Sequence, residues 1–377
     1  MSDKGREVHD VLVDKPSHRA PKAWVEATGS DVVHATAWGL LAAALVIAGI
    51  VVGSRGLRDF DVALVSYAGA TVLAAFGVGY RYTMWLRRPP TRLYWFRGLQ
   101  LFFRPSRLAG NLALLARRLA VNVVAQRFIL RRSRLRWAAH GLLFWGCLLA
   151  AAVTFPLSFG WVRFETPRDT QDVYQAFVFG LPLFEFPWAG ALAPLVFNVL
   201  DLSAFLVLAG IGLAMVRRGR DRGALAVQQL ASDLVPVVIL FAISVTGLLL
   251  TVSTHWVQGF HYGFLAQLHA VTVIFGLVYL PFGKFFHIFQ RPAQLGIELY
   301  KHAGANGPQA RCSRCGAPFG SRMHVEDLKA VQAALAIRYE AGGAHYQDTC
   351  PACRRRMVAV AQDGLWRAAG RPRPEGI

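Results

Sequence analysis

The sequence predicts an all-α integral membrane protein, a six-helix transmembrane bundle followed by a small cytoplasmic zinc-ribbon-like domain. Of its 377 residues, 54% are hydrophobic, and the mean hydropathy of +0.37 is higher than soluble domains usually reach. Several apolar runs approach or exceed the roughly 18 residues that cross a bilayer. Arginines cluster between these runs, and the polar end of the chain carries two Cys-x-x-Cys pairs.

Six apolar segments are predicted to span the membrane. They lie at about 34–52, 62–86, 137–155, 195–216, 234–252 and 262–291. The stretch 177–195 is also apolar but contains several prolines, so we expect it to cover the outer surface without spanning. No internal repeat is visible, which gives an inverted-repeat transporter no support.

The charge distribution predicts the orientation of the chain. Between Arg81 and Arg136 there are 14 arginines and no acids, and such stretches stay on the cytoplasmic side. With six spans, both termini are then cytoplasmic, and the protein is expected in the cell (inner) membrane. The N-terminal segment 1–32 mixes acids and bases and does not resemble a secretory signal. The net charge of +19 is explained by topology, so we expect no nucleic-acid partner.

The basic segment 87–136 alternates apolar and basic faces. We interpret it as one or two amphipathic helices that lie on anionic membrane lipid, as a cytoplasmic part of the membrane domain 33–291. An ordinary solvated basic helix is the alternative. Aromatic residues just upstream of the amphipathic part favour the membrane surface.

The last predicted span, Tyr262 to Arg291, carries two histidines, His269 and His287. They are 18 residues apart, or five turns of a continuous helix, which would place both on one face about 27 Å apart. Ionisable side chains are costly inside a bilayer and therefore mark candidate functional sites.

His140 and His287 are predicted to bind one haem b. Each lies four residues from an arginine at the cytoplasmic end of its span, so their depths match. Gly141, Gly146 and Gly283 could admit the porphyrin. The alternative is two unrelated interfacial histidines. Cations that could meet the propionates are Arg136, Lys284 and Arg291.

His269 lies in the outer half of its span and has no obvious partner. It could bind a second haem with His255 or His261 folding back from the outer loop. It could instead hydrogen-bond a quinone carbonyl, or be a structural histidine. The sequence leaves these alternatives open.

The chain resembles the haem b membrane subunits of respiratory nitrate reductase (the gamma type) and of heterodisulfide reductase. The matching stretches are RWAAHGLLFWG around His140 and KFFHIFQRP around His287. The resemblance covers about residues 62–300 and implies that His140 pairs with His287, while His269 serves another haem. The gamma pattern has a further histidine about ten residues after the earlier one, where this chain has Ala150.

The C-terminal region 292–377 is predicted to be a cytoplasmic domain that binds a metal through four cysteines. The cysteines form two Cys-x-x-Cys pairs separated by 34 residues, which is zinc-ribbon spacing. Zinc is favoured because the site is closed, and rubredoxin-like iron or a cluster is the alternative. The predicted ligands are Cys312, Cys315, Cys350 and Cys353.

Together these features predict a cytochrome b subunit of a respiratory redox complex. It would transfer electrons between membrane quinone and a cytoplasmic iron–sulfur or molybdenum subunit, the partner that the resemblance implies. The alternatives are a secondary transporter and a haem-free anchor or assembly protein that acts through its zinc ribbon. Asp201 in the fourth span fits either a proton relay or a hydrogen bond that pairs two helices.

Overall fold

The computed structural model describes residues 28–167, 172–220, 223, 229–337, 340–341 and 344–368. Most of the N-terminal segment 1–32 therefore lies outside the described residues. The chain divides into two compact units. The first, here called the helical unit, comprises Val32–Met84 and Ala116–Pro292. The second, the cysteine unit, comprises Trp85–Leu115, the described residues from Ala293 onward and those before Val32.

The two units divide the basic segment 87–136. The whole basic segment 87–136 was predicted to belong to the membrane domain. In the structure, Trp85–Leu115 belongs with the residues after Ala293 instead.

The described part of the chain before residue 131 forms helices and turns. Its helices are α1 (Gly29–Gly53), α2 (Val65–Arg87), α3 (Pro89–Phe102), α4 (Leu108–Arg118) and α5 (Arg127–Leu130). A 3-10 turn precedes α2, and a π-helical turn, Leu119–Val124, follows α4. α1 and α2 cross at glycines, since a Cβ on Gly39 would lie 2.9 Å from the Phe76 ring.

The middle of the chain combines helices with a small sheet. The elements are α6 (Arg134–Ser158), β1 (Val162–Glu165), β2 (Val173–Val178), β3 (Leu181–Pro187), α7 (Leu192–Phe197) and α8 (Val199–Arg220). Ser133 caps α6 by accepting a hydrogen bond from the Arg136 amide at 3.4 Å. α6 packs along α8, and Gly146 permits this because its Cβ would lie 2.9 Å from the Ser203 carbonyl oxygen.

The sheet β1–β2–β3 is antiparallel and was not predicted. The end of β2 and all of β3 lie in the stretch 177–195 that we expected to cover the outer surface without spanning. None of the candidate spans among the described residues includes the sheet. Phe186 and Ala176 form its core with Ala193 of α7. Trp161, just before β1, donates its indole hydrogen to the Gly49 carbonyl at 2.8 Å and so joins the sheet to α1.

The remaining helices of the helical unit follow a π-helical turn, Leu230–Leu234. They are α9 (Val235–Trp256), α10 (Tyr262–Tyr279) and α11 (His287–Ala305), which continues into the cysteine unit. α10 packs on α9, with Gly276 facing Ile243 and Ile239. Six helices among the described residues, α1, α2, α6, α8, α9 and α10, have the length and apolar composition to cross a membrane, as predicted.

The prediction of one continuous helix from Tyr262 to Arg291 is wrong. α10 ends at Tyr279, and a 3-10 turn, Lys284–Phe286, precedes α11. Proline lacks the amide hydrogen that a helix needs, and Pro281 lies in the break. The break is tightly packed, since a Cβ on Gly77 would lie 2.7 Å from the Pro281 ring. The predicted common face and 27 Å separation of His269 and His287 therefore do not apply.

Arg81 of α2 satisfies the backbone at this break. Its guanidinium donates to the Pro281 carbonyl in a short hydrogen bond and reaches the Gly283 carbonyl at 3.4 Å. The same group lies 4.4 Å from the centre of the Phe286 ring, which is fully buried. The unpaired carbonyls that a broken helix creates thus find a charged donor.

After α11, the described part of the cysteine unit contains short strands and two helices. The elements are β4 (Gln309–Arg311), β5 (Pro318–Ser321), α12 (Arg322–Ala334), β6 (Glu340–Ala341), β7 (Ala344–His345) and α13 (Pro351–Ala368). Strands β4 and β5 form an antiparallel hairpin, and β6 pairs with β7.

Asp327 of α12 joins three helices of the cysteine unit. Its side chain is only 4% exposed. It accepts hydrogen bonds from the Tyr300 hydroxyl of α11 at 2.7 Å and from the Arg97 guanidinium of α3 at 3.2 Å. The buried carboxylate is therefore both charge-paired and hydrogen-bonded, as a buried charge must be.

Candidate functional site

His140 is held on α6 by Gln126. Its Nδ1 lies 2.8 Å from Gln126 Oε1. The Gln126 side chain is buried, and its backbone has a φ of 50° where α5 begins. An amide oxygen can only accept a hydrogen bond, so Nδ1 carries the proton and Nε2 presents a lone pair.

His287 has the same arrangement at the first residue of α11. Its Nδ1 lies 2.6 Å from the Lys284 carbonyl oxygen in the preceding turn. A carbonyl accepts only, so Nε2 again keeps its lone pair. The helix break creates this contact, because it turns the Lys284 carbonyl back toward the imidazole.

His140 and His287 lie within electrostatic range of each other and of Arg291. Arg291 lies over the Phe128 ring at 5.1 Å from its centre. The structure thus groups two histidines with open Nε2 atoms and one arginine in the helical unit.

The other predicted haem neighbours divide into two groups. A Cβ on Gly141 would meet nothing within 4 Å, so the space beside this glycine is open. Gly146 instead serves the crossing of α6 and α8, and Gly283 packs against the Tyr279 ring. Lys284 forms a 2.6 Å ion pair with Asp233, which lowers the pKa of that carboxyl.

His269 is positioned by hydroxyl groups from α9 and α10. Its Nδ1 lies 2.9 Å from Thr246 Oγ1, and that hydroxyl lies 2.7 Å from the Ala242 carbonyl and 3.3 Å from Thr272 Oγ1. If the Thr246 hydrogen goes to the carbonyl, as in helical threonines, the hydroxyl accepts from Nδ1 and Nε2 stays open. Sequence reasoning missed Thr246, although its depth in the neighbouring span matches that of His269.

Asp201 accepts a 2.7 Å hydrogen bond from Thr251 Oγ1 of α9. This contact joins α8 to α9 and corresponds to the helix-pairing interpretation. The carboxylate thus has a donor inside the bundle, which reduces the cost of placing it there.

The four predicted cysteine ligands come together. Their four Sγ atoms all lie within 4.8 Å of one another. Cys315 Sγ is 3.8 Å from Cys350 Sγ. Cys312 and Cys350 are buried, while Cys315 is exposed. This cluster could hold a metal ion such as zinc, for which four thiolates are a common ligand set.

Local backbone geometry forms the two halves of the cluster. After β4, the Cys312 amide donates to the Ala317 carbonyl and the Gly316 amide donates to the Cys312 carbonyl, both at 2.9 Å. Gly316 has a φ of 72°, a region that favours glycine. Cys350 precedes α13 and Cys353 lies in its first turn, where free amides point toward the sulfurs.

Hydrogen bonds make the sulfurs inequivalent. Cys312 Sγ accepts from the Cys350 amide at 3.3 Å and from the Arg314 amide at 3.4 Å. These donors, led by the Cys350 amide, lower the pKa of Cys312 to about 6. Hydrogen bonds with the Cys350 and Cys315 sulfurs raise the pKa of Cys353 to about 12. A bound metal would displace the remaining protons.

Comparisons of the chain with protein-family models, with curated proteins and with solved structures give no match. The resemblance to haem b membrane subunits therefore stays a prediction carried by the motifs around His140 and His287. The candidate sites rest on their own geometry.

Proposed function

We propose that this chain is a cytochrome b membrane subunit that transfers electrons between membrane quinone and a cytoplasmic redox partner. The observation that carries the proposal is the pair His140 and His287. Each imidazole has Nδ1 hydrogen-bonded to an oxygen acceptor, so that each Nε2 atom keeps a lone pair for a metal. Histidines that bind metals usually have this arrangement, because the second hydrogen bond fixes the ring and raises its basicity.

The surroundings of the pair suit a haem b. The open space beside Gly141 leaves room for a flat ring. Arg291 is within electrostatic range of His140 and could meet a propionate. When bound, a haem would supply one-electron transfer, and this chain would hold it through the His140 and His287 imidazoles.

His269 is the proposed contact for quinone or for a second haem. Thr246 Oγ1 orients its imidazole through Nδ1. With the proton on Nδ1, Nε2 has the lone pair that a haem iron needs. With the Thr246 hydroxyl donating to Nδ1, Nε2 carries the hydrogen that a quinone carbonyl accepts. The two roles differ in haem content, which would be two per chain if His269 were a ligand and one if it were not.

The cysteine unit is proposed to hold a structural zinc and to lie on the cytoplasmic side with the arginine-rich segment. An iron–sulfur or molybdenum subunit would dock there. Elemental analysis of the purified chain tests the metal. One zinc per chain is expected. Iron together with visible colour would show that the site binds iron and not zinc.

A pyridine haemochrome measurement on the purified full chain tests the proposal. We expect haem b in the wild type and its loss in His140→Ala and in His287→Ala. His302→Ala is the matched control, since His302 is exposed on α11 and hydrogen-bonded to Asn306. A chain without haem, or a full spectrum in His140→Ala, would overturn the assignment.

A secondary transporter is the second candidate, because the helix is interrupted between α10 and α11 and Asp201 lies within a span. Transporters use broken helices and intramembrane acids at their substrate sites. Here Arg81 satisfies the carbonyls at the break and Thr251 bonds Asp201, so both groups already have protein partners. Absence of haem together with ion-dependent uptake into vesicles would favour the transporter.

A further inference from the structure

A cleft of about 360 Å³ lies between α3 and α12 within the cysteine unit. Its volume is in the range of small-molecule sites. The α3 side provides Leu93 and Phe96, and the α12 side provides Ala330, Val331 and Ala334. The cleft therefore has two apolar walls.

Three arginines, Arg87, Arg92 and Arg97, line the same cleft. Arg87 pairs with Asp31, and Arg97 pairs with Asp327 at 3.2 Å. Arg92 has no ion pair with any residue that the structure describes, and its side chain is exposed. The lining residues include no acid, so the cleft favours a ligand that is anionic at one end and apolar along its length.

The position of Arg87 indicates which ligand of this kind is at hand. Arg87 is the last residue of a helix with the length and composition of a membrane span. Basic residues at the ends of spans meet the lipid headgroups, and α3 begins two residues later. One wall of the cleft thus starts at headgroup level, where phospholipids are the abundant amphiphiles.

We infer that this cleft binds an anionic phospholipid, with the phosphate at Arg92 and the start of the acyl chains against Phe96 and Val331. The neighbouring guanidinium groups of Arg87 and Arg97 keep donors that their carboxylate partners do not use. The inference depends on membrane residence and not on the proposed haem.

Native mass spectrometry of the delipidated full chain in neutral detergent tests this site. Phosphatidylglycerol and phosphatidylcholine with identical acyl chains are titrated separately. We expect tighter binding of phosphatidylglycerol, and about a fivefold loss of that affinity in Arg92→Gln, which is the typical effect of one basic residue near a lipid surface. Ala330→Trp, which fills the cleft from an exposed position, should lower the affinity with every charge retained.

Arg107→Gln is the matched control. Arg107 is exposed in the turn Pro105–Arg107 of the same unit and does not line the cleft, so this variant should bind phosphatidylglycerol as the wild type does. Equal losses in Arg92→Gln and Arg107→Gln, or equal affinity for the two lipids, would overturn the inference. If glycerol 3-phosphate competes at the same concentrations as phosphatidylglycerol, the ligand of the cleft is a free phosphate ester and not the lipid.

Discussion

At the scale of single residues, Gln126 is the clearest positioning residue. It touches His140 Nδ1 and would not contact a bound metal. We expect Gln126→Ala to keep part of the haem but to shift its reduction potential, because the imidazole loses its fixed tautomer and orientation. Redox titration checks this, and Gln126→Glu should shift the potential downward, since a carboxylate makes the imidazole more basic. Unchanged potentials in both variants would remove Gln126 from the site.

Asp59 gives a residue-scale prediction of pH dependence. Its side chain is 4% exposed and bonds Arg55 at 2.6 Å, with Arg163 at 3.6 Å. The Arg55 hydrogen bond lowers the pKa of Asp59 below its ordinary 3.8. A carboxyl group whose pKa is lower in the folded than in the unfolded chain stabilises the fold at pH values above its unfolded pKa. This stabilisation is lost as the pH falls through the folded pKa. Melting temperatures between pH 7 and pH 3 should therefore fall less steeply in Asp59→Asn than in the wild type. A parallel fall would contradict the prediction.

At the scale of elements, the break between α10 and α11 depends on Arg81. Arg81→Gln removes the donor to the Pro281 carbonyl and should cost about 1–3 kcal/mol, as for an unsatisfied buried acceptor. Haem content should also fall, although Arg81 is not a proposed ligand, because the break places the Lys284 carbonyl against His287. Thermal unfolding and haem content check both effects. Arg58→Gln, in an exposed loop, is the control. Similar losses in both variants would show that the loss of one positive charge, and not the contact with Pro281, causes the effect.

At the scale of the whole molecule, the two units should respond differently to metal removal. The four cysteines join the β4–β5 hairpin to α13, so a chelator should unfold the cysteine unit first. We expect the melting transition of the cysteine unit to move to a lower temperature, while the transition of the helical unit stays at the same temperature. Circular dichroism with and without chelator measures this. Cys147→Ser is the control, since Cys147 lies in α6 and outside the cluster.

The features that the sequence predicted depend on short spacings or on composition. Six helices of spanning length follow from hydropathy, and the cysteine cluster follows from two local pairs. The break at Pro281 and Gly283 was visible in the sequence but was outweighed by the apolar run through it. The contacts of Gln126 with His140 and of Arg81 with Pro281 were not predictable, because each joins a helix to a separate segment of the chain. β1–β3 were missed because their prolines and aromatic residues read as irregular chain.

The assembly of the cysteine unit has a consequence for biosynthesis. Arg97 and Asp327 are 230 residues apart in the chain. At the usual 5–20 residues per second, the ribosome needs on the order of ten seconds or more to deliver Asp327 after Arg97. During that interval α3 has been synthesised but α12 has not, so the apolar face of α3 is not yet covered by α12. We therefore expect another surface to cover this basic, aromatic helix during translation, and the bilayer surface beside the translocation site can do so.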